Sequence, residues 1–156
     1  MVDVLTSEQR RYNMSRIKGG NTKPELLIRR ALHAEGFRYR LHQRDLAGRP
    51  DIVLPKYHTV IFVHGCFWHG HDCHLVKKVD TRAEFWQSKL SGNVARDRDA
   101  MGALQADGWK VAVVWECALR GTTKRPLRTV TRHLTKYITG GKAAVLDIAG
   151  TESPGG

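Results

Sequence analysis

Long apolar runs are missing from this chain of 156 residues: no stretch approaches the ~18 consecutive apolar residues that a membrane-spanning helix requires. The opening residues, MVDVLTSEQRR, also lack the apolar core of a secretory signal, so a soluble, cytoplasmic protein without membrane partners is expected. Cysteine is scarce, and an odd count of three excludes a small disulfide framework. In a reducing compartment, cysteine beside histidine is better explained by thiolate ligation of a metal. Acidic residues are few as well: 15 Asp and Glu face 26 Lys and Arg, for a formal charge of +11. With 41% hydrophobic residues the composition is globular, which excludes collagen and wholesale disorder. One domain of this size buries a real apolar core, so metals would act as local devices. A basic globular surface points to a polyanion partner, nucleic acid first.

The hydrophobic patterning predicts a basic N-terminal arm helix within residues 1–20, carrying Met14 and Ile17, and a break at Gly19-Gly20-Asn21. Thr22-Lys23-Pro24-Glu25 has capping-box spacing with an early proline and opens a helix to about Glu35, with Leu26, Leu27, Ala31 and Leu32 facing the core. Phe37–Leu41 alternates like a strand, and Asp51–Leu54 and Thr59–Val63 read as a hairpin in a sheet. A long helix is expected from about Thr81 to Ala106, a buried strand over Trp109–Trp115, and a last helix over about Leu127–Ile138. Helices flanking a central mixed sheet make an α/β domain spanning 1–139, with 140–156 as a flexible C-terminal tail.

Residues 64–74, HGCFWHGHDCH, are too rich in ligands and aromatics for an ordinary turn. Cys66, Cys73 and the distant Cys117, plus one histidine, have the composition of a closed tetrahedral structural zinc site. His71 is the preferred fourth ligand because its H-x-C spacing lets it converge with Cys73, which leaves His64 and His69 for other work. The bland alternative is three cysteines buried as small hydrophobes.

Arg49-Pro50-Asp51 opens one strand of the expected hairpin and His64 ends the other. The pattern resembles the Pro-Asp … (Asp/Glu)-x-Lys arrangement of restriction-like nucleases, with Phe62 in place of the second acid and His64 in place of the lysine. Phosphodiester cleavage needs a hard cation held by oxygen, and Mg²⁺ keeps much of its water, so Asp51 and a backbone carbonyl suffice as protein ligands. Glu25 would assist through bound water, and His64 and His69 would move protons near neutral pH. The plainer reading makes Asp51 a strand-edge acid and Glu25 a capping acid. Phe67, Trp68 and Trp86 suit stacking on bases or wedging between them, worth ~1–3 kcal/mol per base, as well as packing over the zinc.

Taken together, Asn13-Met14 with Ile17, Gly48-Arg49-Pro50-Asp51, His64-Gly65-Cys66-Phe67-Trp68-His69, Arg96-Asp97-Arg98 and Val114-Trp115-Glu116-Cys117-Ala118-Leu119-Arg120-Gly121 resemble the bacterial very-short-patch mismatch repair endonucleases, from about Tyr12 to Ile138. The resemblance implies a restriction-endonuclease-like fold with a structural zinc; a monomer is expected, although the sequence itself leaves the oligomeric state open. It implies Mg²⁺-dependent nicking of double-stranded DNA on the 5′ side of the mispaired thymine in a T·G mismatch left by 5-methylcytosine deamination. By position, Asp51 and the Val63 backbone carbonyl fall on Mg²⁺, with Glu25 and His64 around cation-bound water, and His69 becomes the acid/base group oriented by Asp97. Zinc falls on Cys66, His71, Cys73 and Cys117, the wedge on Phe67, Trp68 and Trp86, and minor-groove contact on Met14 and Ile17. Mismatch-repair proteins follow as further partners. Gly70 and Asp72 interrupt a loop that is commonly richer in histidine, without removing a ligand. The rivals are a zinc-containing module that binds distorted duplexes without cutting them, and a nuclease of broader specificity.

Overall fold

Thr22 starts the first helix of the computed structural model, which describes residues 22–66, 83–121, 123–140 and 145–150. Its hydroxyl accepts the Glu25 N–H at 3.4 Å, and Pro24 sits in the first turn where a missing donor costs nothing. This helix, α1 (Lys23–Ala34), buries Glu25, Ile28 and Leu32, which share one face at spacings of three and four. Leu26 and Leu27, expected in the core, are only half-buried. The buried face is therefore rotated toward the helix start, and it takes a carboxylate inside. Gly36, at φ 94°, turns the chain out of the helix.

Five strands follow in one sheet among the described residues: β1 (Arg40–Leu41), β2 (Ile52–Leu54), β3 (Thr59–His64), β4 (Lys110–Trp115) and β5 (Val145–Ile148), ordered in space as in sequence. The first three pair antiparallel, with Leu41 opposite Ile52 and Ile52 opposite Ile61. The last three pair parallel, with His64 opposite Trp115 and Val114 opposite Ile148. The strand expected over Phe37–Leu41 shrinks to two residues, because Phe37 packs edge-on against Tyr57 instead, ring centroids 5.5 Å apart.

Near-continuous apolar runs in β3 and β4 are explained by cover on both faces. Ile52, Leu54, Ile61, Ala112 and Val114 pack with Ile28 and Leu32 of α1 and with Val130, Leu134 and Ile138 of a further helix, α3 (Leu127–Gly140). On the other face Val53, Val60, Phe62, Val111 and Val113 pack with Leu104 of the long α2 (Ala83–Ala106). Each such fully buried aliphatic side chain contributes ~1.5–3 kcal/mol of transfer free energy. Lys110 ties sheet to helix, donating through Nζ to the carbonyls of Tyr137 at 2.9 Å and Ile138 at 2.6 Å.

The loop before β2 lies against α2. Gly48 adopts φ 73°, and a Cβ there would stand 2.7 Å from the Ala100 Cβ and 3.2 Å from the Phe62 ring. Gly48→Ala adds overpacking to a left-handed backbone, so a loss of about 2–4 kcal/mol is expected. Urea unfolding monitored by circular dichroism measures it, and an unchanged midpoint would place the loop elsewhere.

The flexible tail expected from residue 140 onward is corrected by β5, which adds a parallel edge strand to β4. Trp115 Nε1 donates to Asp147 at 3.0 Å, Arg125 Nε to the Ala149 carbonyl at 2.6 Å, and the Gly150 N–H to Cys117 Sγ at 3.3 Å. The arm helix of 1–20 and residues 67–82 lie outside the described residues. No described helix is long and apolar enough to cross a membrane.

Candidate active site

Glu25 is 1% exposed, so its charge needs partners inside the fold. The guanidinium of Arg29, one turn along α1, lies 3.2 Å from Oε2. The Nε2 of His42 lies 2.9 Å from Oε1 and 3.0 Å from Oε2. Asp51 precedes β2, and its Oδ2 accepts the Val63 N–H at 2.7 Å across the hairpin. One ligand atom each from Glu25, His42 and Asp51 lies within 4.8 Å of the others. The structure thus brings the Glu25 and Asp51 carboxylates together, with the Val63 backbone beside them.

Asp51 is electrostatically strained in this setting. Burial, opposed by the Val63 N–H and reinforced by the Glu25 carboxylate, pushes it up to about 8. The buried Glu25 carboxylate and the half-buried Asp51 carboxylate, set close together beside an imidazole, form an oxygen-rich donor set that suits a hard divalent cation, whose charge would relieve the strain. The sign of the pH effect follows. A raised acid favours its protonated form in the folded state, so without a cation this stability is full below about pH 4 and is lost as pH rises through about 8. Melting curves at pH 6 and pH 9 should show the cation-free protein weakening at the higher pH and Mg²⁺ restoring more there. The Asp51→Asn variant should lose that difference.

The imidazole that joins the acids is His42. His64, one residue past Val63, turns its ring toward Phe62 at 5.4 Å and toward Trp115 at 5.2 Å, on the α2 side of the sheet. His42 was not selected from sequence, although the β1–β2 register carried the signal: with Leu41 opposite Ile52, the next residue falls beside Asp51. Its N–H donates to the Asp51 carbonyl at 3.1 Å.

Cys66 and Cys117 are both buried and free of disulfides. Each stands two residues past the end of its strand, and His64 pairs in parallel register with Trp115, so both cysteines lie at the same end of the sheet, beyond neighbouring strands. The Gly150 N–H to the Cys117 sulfur is the kind of outer hydrogen bond that supports a ligating thiolate. Two soft donors at one end of the sheet fit half of a structural zinc set. His71 and Cys73, the other expected ligands, lie outside the described residues, as do His69, Phe67, Trp68, Met14 and Ile17. Asp97 lies half-buried in α2, and Trp86 belongs to its first turn with a side chain outside the description.

Known proteins place this arrangement in context. A family model described as DNA mismatch endonuclease Vsr matches residues 2–75. The chain is 47% identical over 132 residues to the type II nicking enzyme V.XorIIP of Xanthomonas oryzae pv. oryzae, covering 83% of this chain and 97% of that protein. It is 43% identical over 151 residues to the DNA mismatch endonuclease Vsr of Escherichia coli, covering 96% and 97%. It is 44% identical over 120 residues to the type II nicking enzyme V.NmeAIP of Neisseria meningitidis, covering 77% and 86%.

Proposed function

The chain belongs to the DNA mismatch endonuclease Vsr family and is a DNA endonuclease, and we propose that it nicks duplex DNA on the 5′ side of the mispaired thymine in T·G mismatches, with Mg²⁺. The observation that carries this reading is the approach of the Glu25 and Asp51 carboxylates beside the Val63 backbone, where β2 and β3 meet. The mixed sheet with helices on both faces supports a restriction-endonuclease-like fold.

Asp51 and the Val63 carbonyl would hold Mg²⁺, with Glu25 turned toward it. A cation held there would supply positive charge to the scissile phosphate and the leaving oxygen. Hydrolysis joins a water oxygen to phosphorus as the bond to the deoxyribose 3′ oxygen breaks, and His69, oriented by Asp97, handles the proton transfer near neutral pH. His64, packed between Phe62 and Trp115, steadies the end of β3 next to Val63.

Cys66, His71, Cys73 and Cys117 would hold zinc, bracing the loop that carries Phe67 and Trp68. Those rings, with Trp86, pry at the mismatch, and Met14 and Ile17 of the arm reach the minor groove. A T·G pair is held less firmly in the stack than a normal pair, so wedging costs least where the cut is wanted. The excess of Lys and Arg supplies phosphate contacts that orient the duplex without reading it.

Selectivity tests this reading. Duplexes identical except for T·G, T·A or C·G at one position should be nicked with a preference for T·G of about 100-fold or more, equivalent to roughly 2.7 kcal/mol. Equal cleavage of all three would assign the protein to a broader class of nuclease.

A further inference from the structure

His42 is gripped from two directions at once. Its main-chain N–H donates to the Asp51 carbonyl at 3.1 Å, and its side chain reaches both oxygens of Glu25 on α1 at 2.9 and 3.0 Å. The residue also holds φ 47°, a left-handed conformation that costs a non-glycine residue ~1–2 kcal/mol. Such strain persists where the surroundings over-determine it, and functional sites are where it collects.

The grip answers a physical difficulty. Glutamate is flexible, and fixing its side chain costs up to ~2 kcal/mol of rotamer freedom. Once both acids are ionised, as a cation requires, Glu25 and Asp51 repel each other, so the pair does not hold itself in place. Arg29 restrains Glu25 from its own helix, at 3.2 Å from Oε2. His42 ties the Glu25 side chain to the backbone at Asp51, across 17 residues of sequence.

We propose that His42 is a positioning residue, which fixes the Glu25 carboxylate against Asp51 so that the pair is set for a divalent cation before one arrives. This rests on the reading of Glu25 and Asp51 as the cation-holding acids. It needs a hydrogen-bond donor at Nε2 and no change of charge.

Three substitutions in the full-length protein separate this role from a merely conformational one. Asparagine tolerates a left-handed backbone well but is too short to reach Glu25. Glutamine places an N–H donor at about the distance of Nε2. Binding of Mn²⁺, followed by the electron paramagnetic resonance of the free ion, reads the site without catalysis. H42N should weaken Mn²⁺ binding about 10-fold, within the range known for outer hydrogen-bond partners of metal ligands, and H42Q should recover to within about 3-fold of the parent. The Mg²⁺ concentration for half-maximal nicking should shift in parallel, while affinity for the mismatched duplex in metal-free buffer stays unchanged. If H42N matches the parent, or binds Mn²⁺ better than H42Q, only the backbone conformation matters and the proposal is overturned. H42M, as long as glutamine but without a donor, should behave as H42N does and gives the same contrast if H42N does not fold. A parent protein that binds Mn²⁺ but nicks nothing would refute the proposed function, and the Mn²⁺ series would still decide the role of His42.

Discussion

Asp51→Ala is expected to abolish nicking, lowering the single-turnover rate on a T·G duplex about 10³-fold or more, or roughly 4 kcal/mol of barrier. The substitution removes the carboxylate that faces Glu25 and leaves the Val63 N–H without its acceptor. Affinity for the mismatched duplex should be retained, because the proposed phosphate contacts and aromatic wedge would supply it. Stability should move in the opposite direction from activity. Asp51 is pushed up to about 8 mainly by burial, so at pH 9 the cation-free parent keeps a charge there that burial disfavours. Asp51→Asn, which keeps the shape, should therefore melt higher than the parent at pH 9 without Mg²⁺. An inactive variant that is no less stable identifies a group retained for chemistry; substantial residual cleavage by Asp51→Ala would remove it from the mechanism.

Cys117→Ala should have the largest effect on stability. The thiol is buried at the end of β4, accepts the Gly150 N–H, and shares that end of the sheet with Cys66. If both ligate zinc, removing either leaves an incomplete set of buried thiolates around a cation, and zinc should be lost along with the tie between the HGCFWH loop and the sheet. Metal analysis should fall from one zinc per chain to less than one half. The apolar core remains, so the protein should still fold, with a loss of about 4 kcal/mol and a melting temperature lower by roughly 8–16 °C. The Cys66→Ala variant should match it, and the double variant should be little worse than either, because the two thiols act through one metal. Two additive, zinc-independent losses would make the cysteines ordinary core residues.

Much of the fold was legible in the sequence, because its strongest signals are those the structure uses. Thr59–Val63 and Trp109–Trp115 are near-continuous apolar runs, and both became central strands covered by helices on each face. Thr22 with Pro24 marked the start of α1 to the residue. The same spacing concealed the more important fact about Glu25. Capping-box chemistry accounts for an acid at that position, yet its carboxylate turns inward to His42 and Arg29. Helical periodicity favoured Leu26 and Leu27 for the buried face, since it counts apolar groups and cannot anticipate a face completed by an acid. β5 was hidden for a similar reason. Val145–Ile148 is short, contains Asp147, and becomes a strand only when β4 offers an edge and Trp115 offers Asp147 a donor. His42 depended on register: two residues of β1 pairing set it beside Asp51, and nothing in its immediate neighbourhood announces that.

The central claim is that the Glu25 and Asp51 pair directs Mg²⁺ hydrolysis to one phosphodiester beside a mispaired thymine. The most direct measurement labels each strand of a T·G duplex separately and maps the products of a single turnover at nucleotide resolution, with and without Mg²⁺. A single cut immediately 5′ of the mispaired thymine, with the guanine strand intact and no product in the absence of the cation, is the predicted result. Cleavage of both strands, scattered cuts, or an unchanged rate after chelation of Mg²⁺ would contradict it.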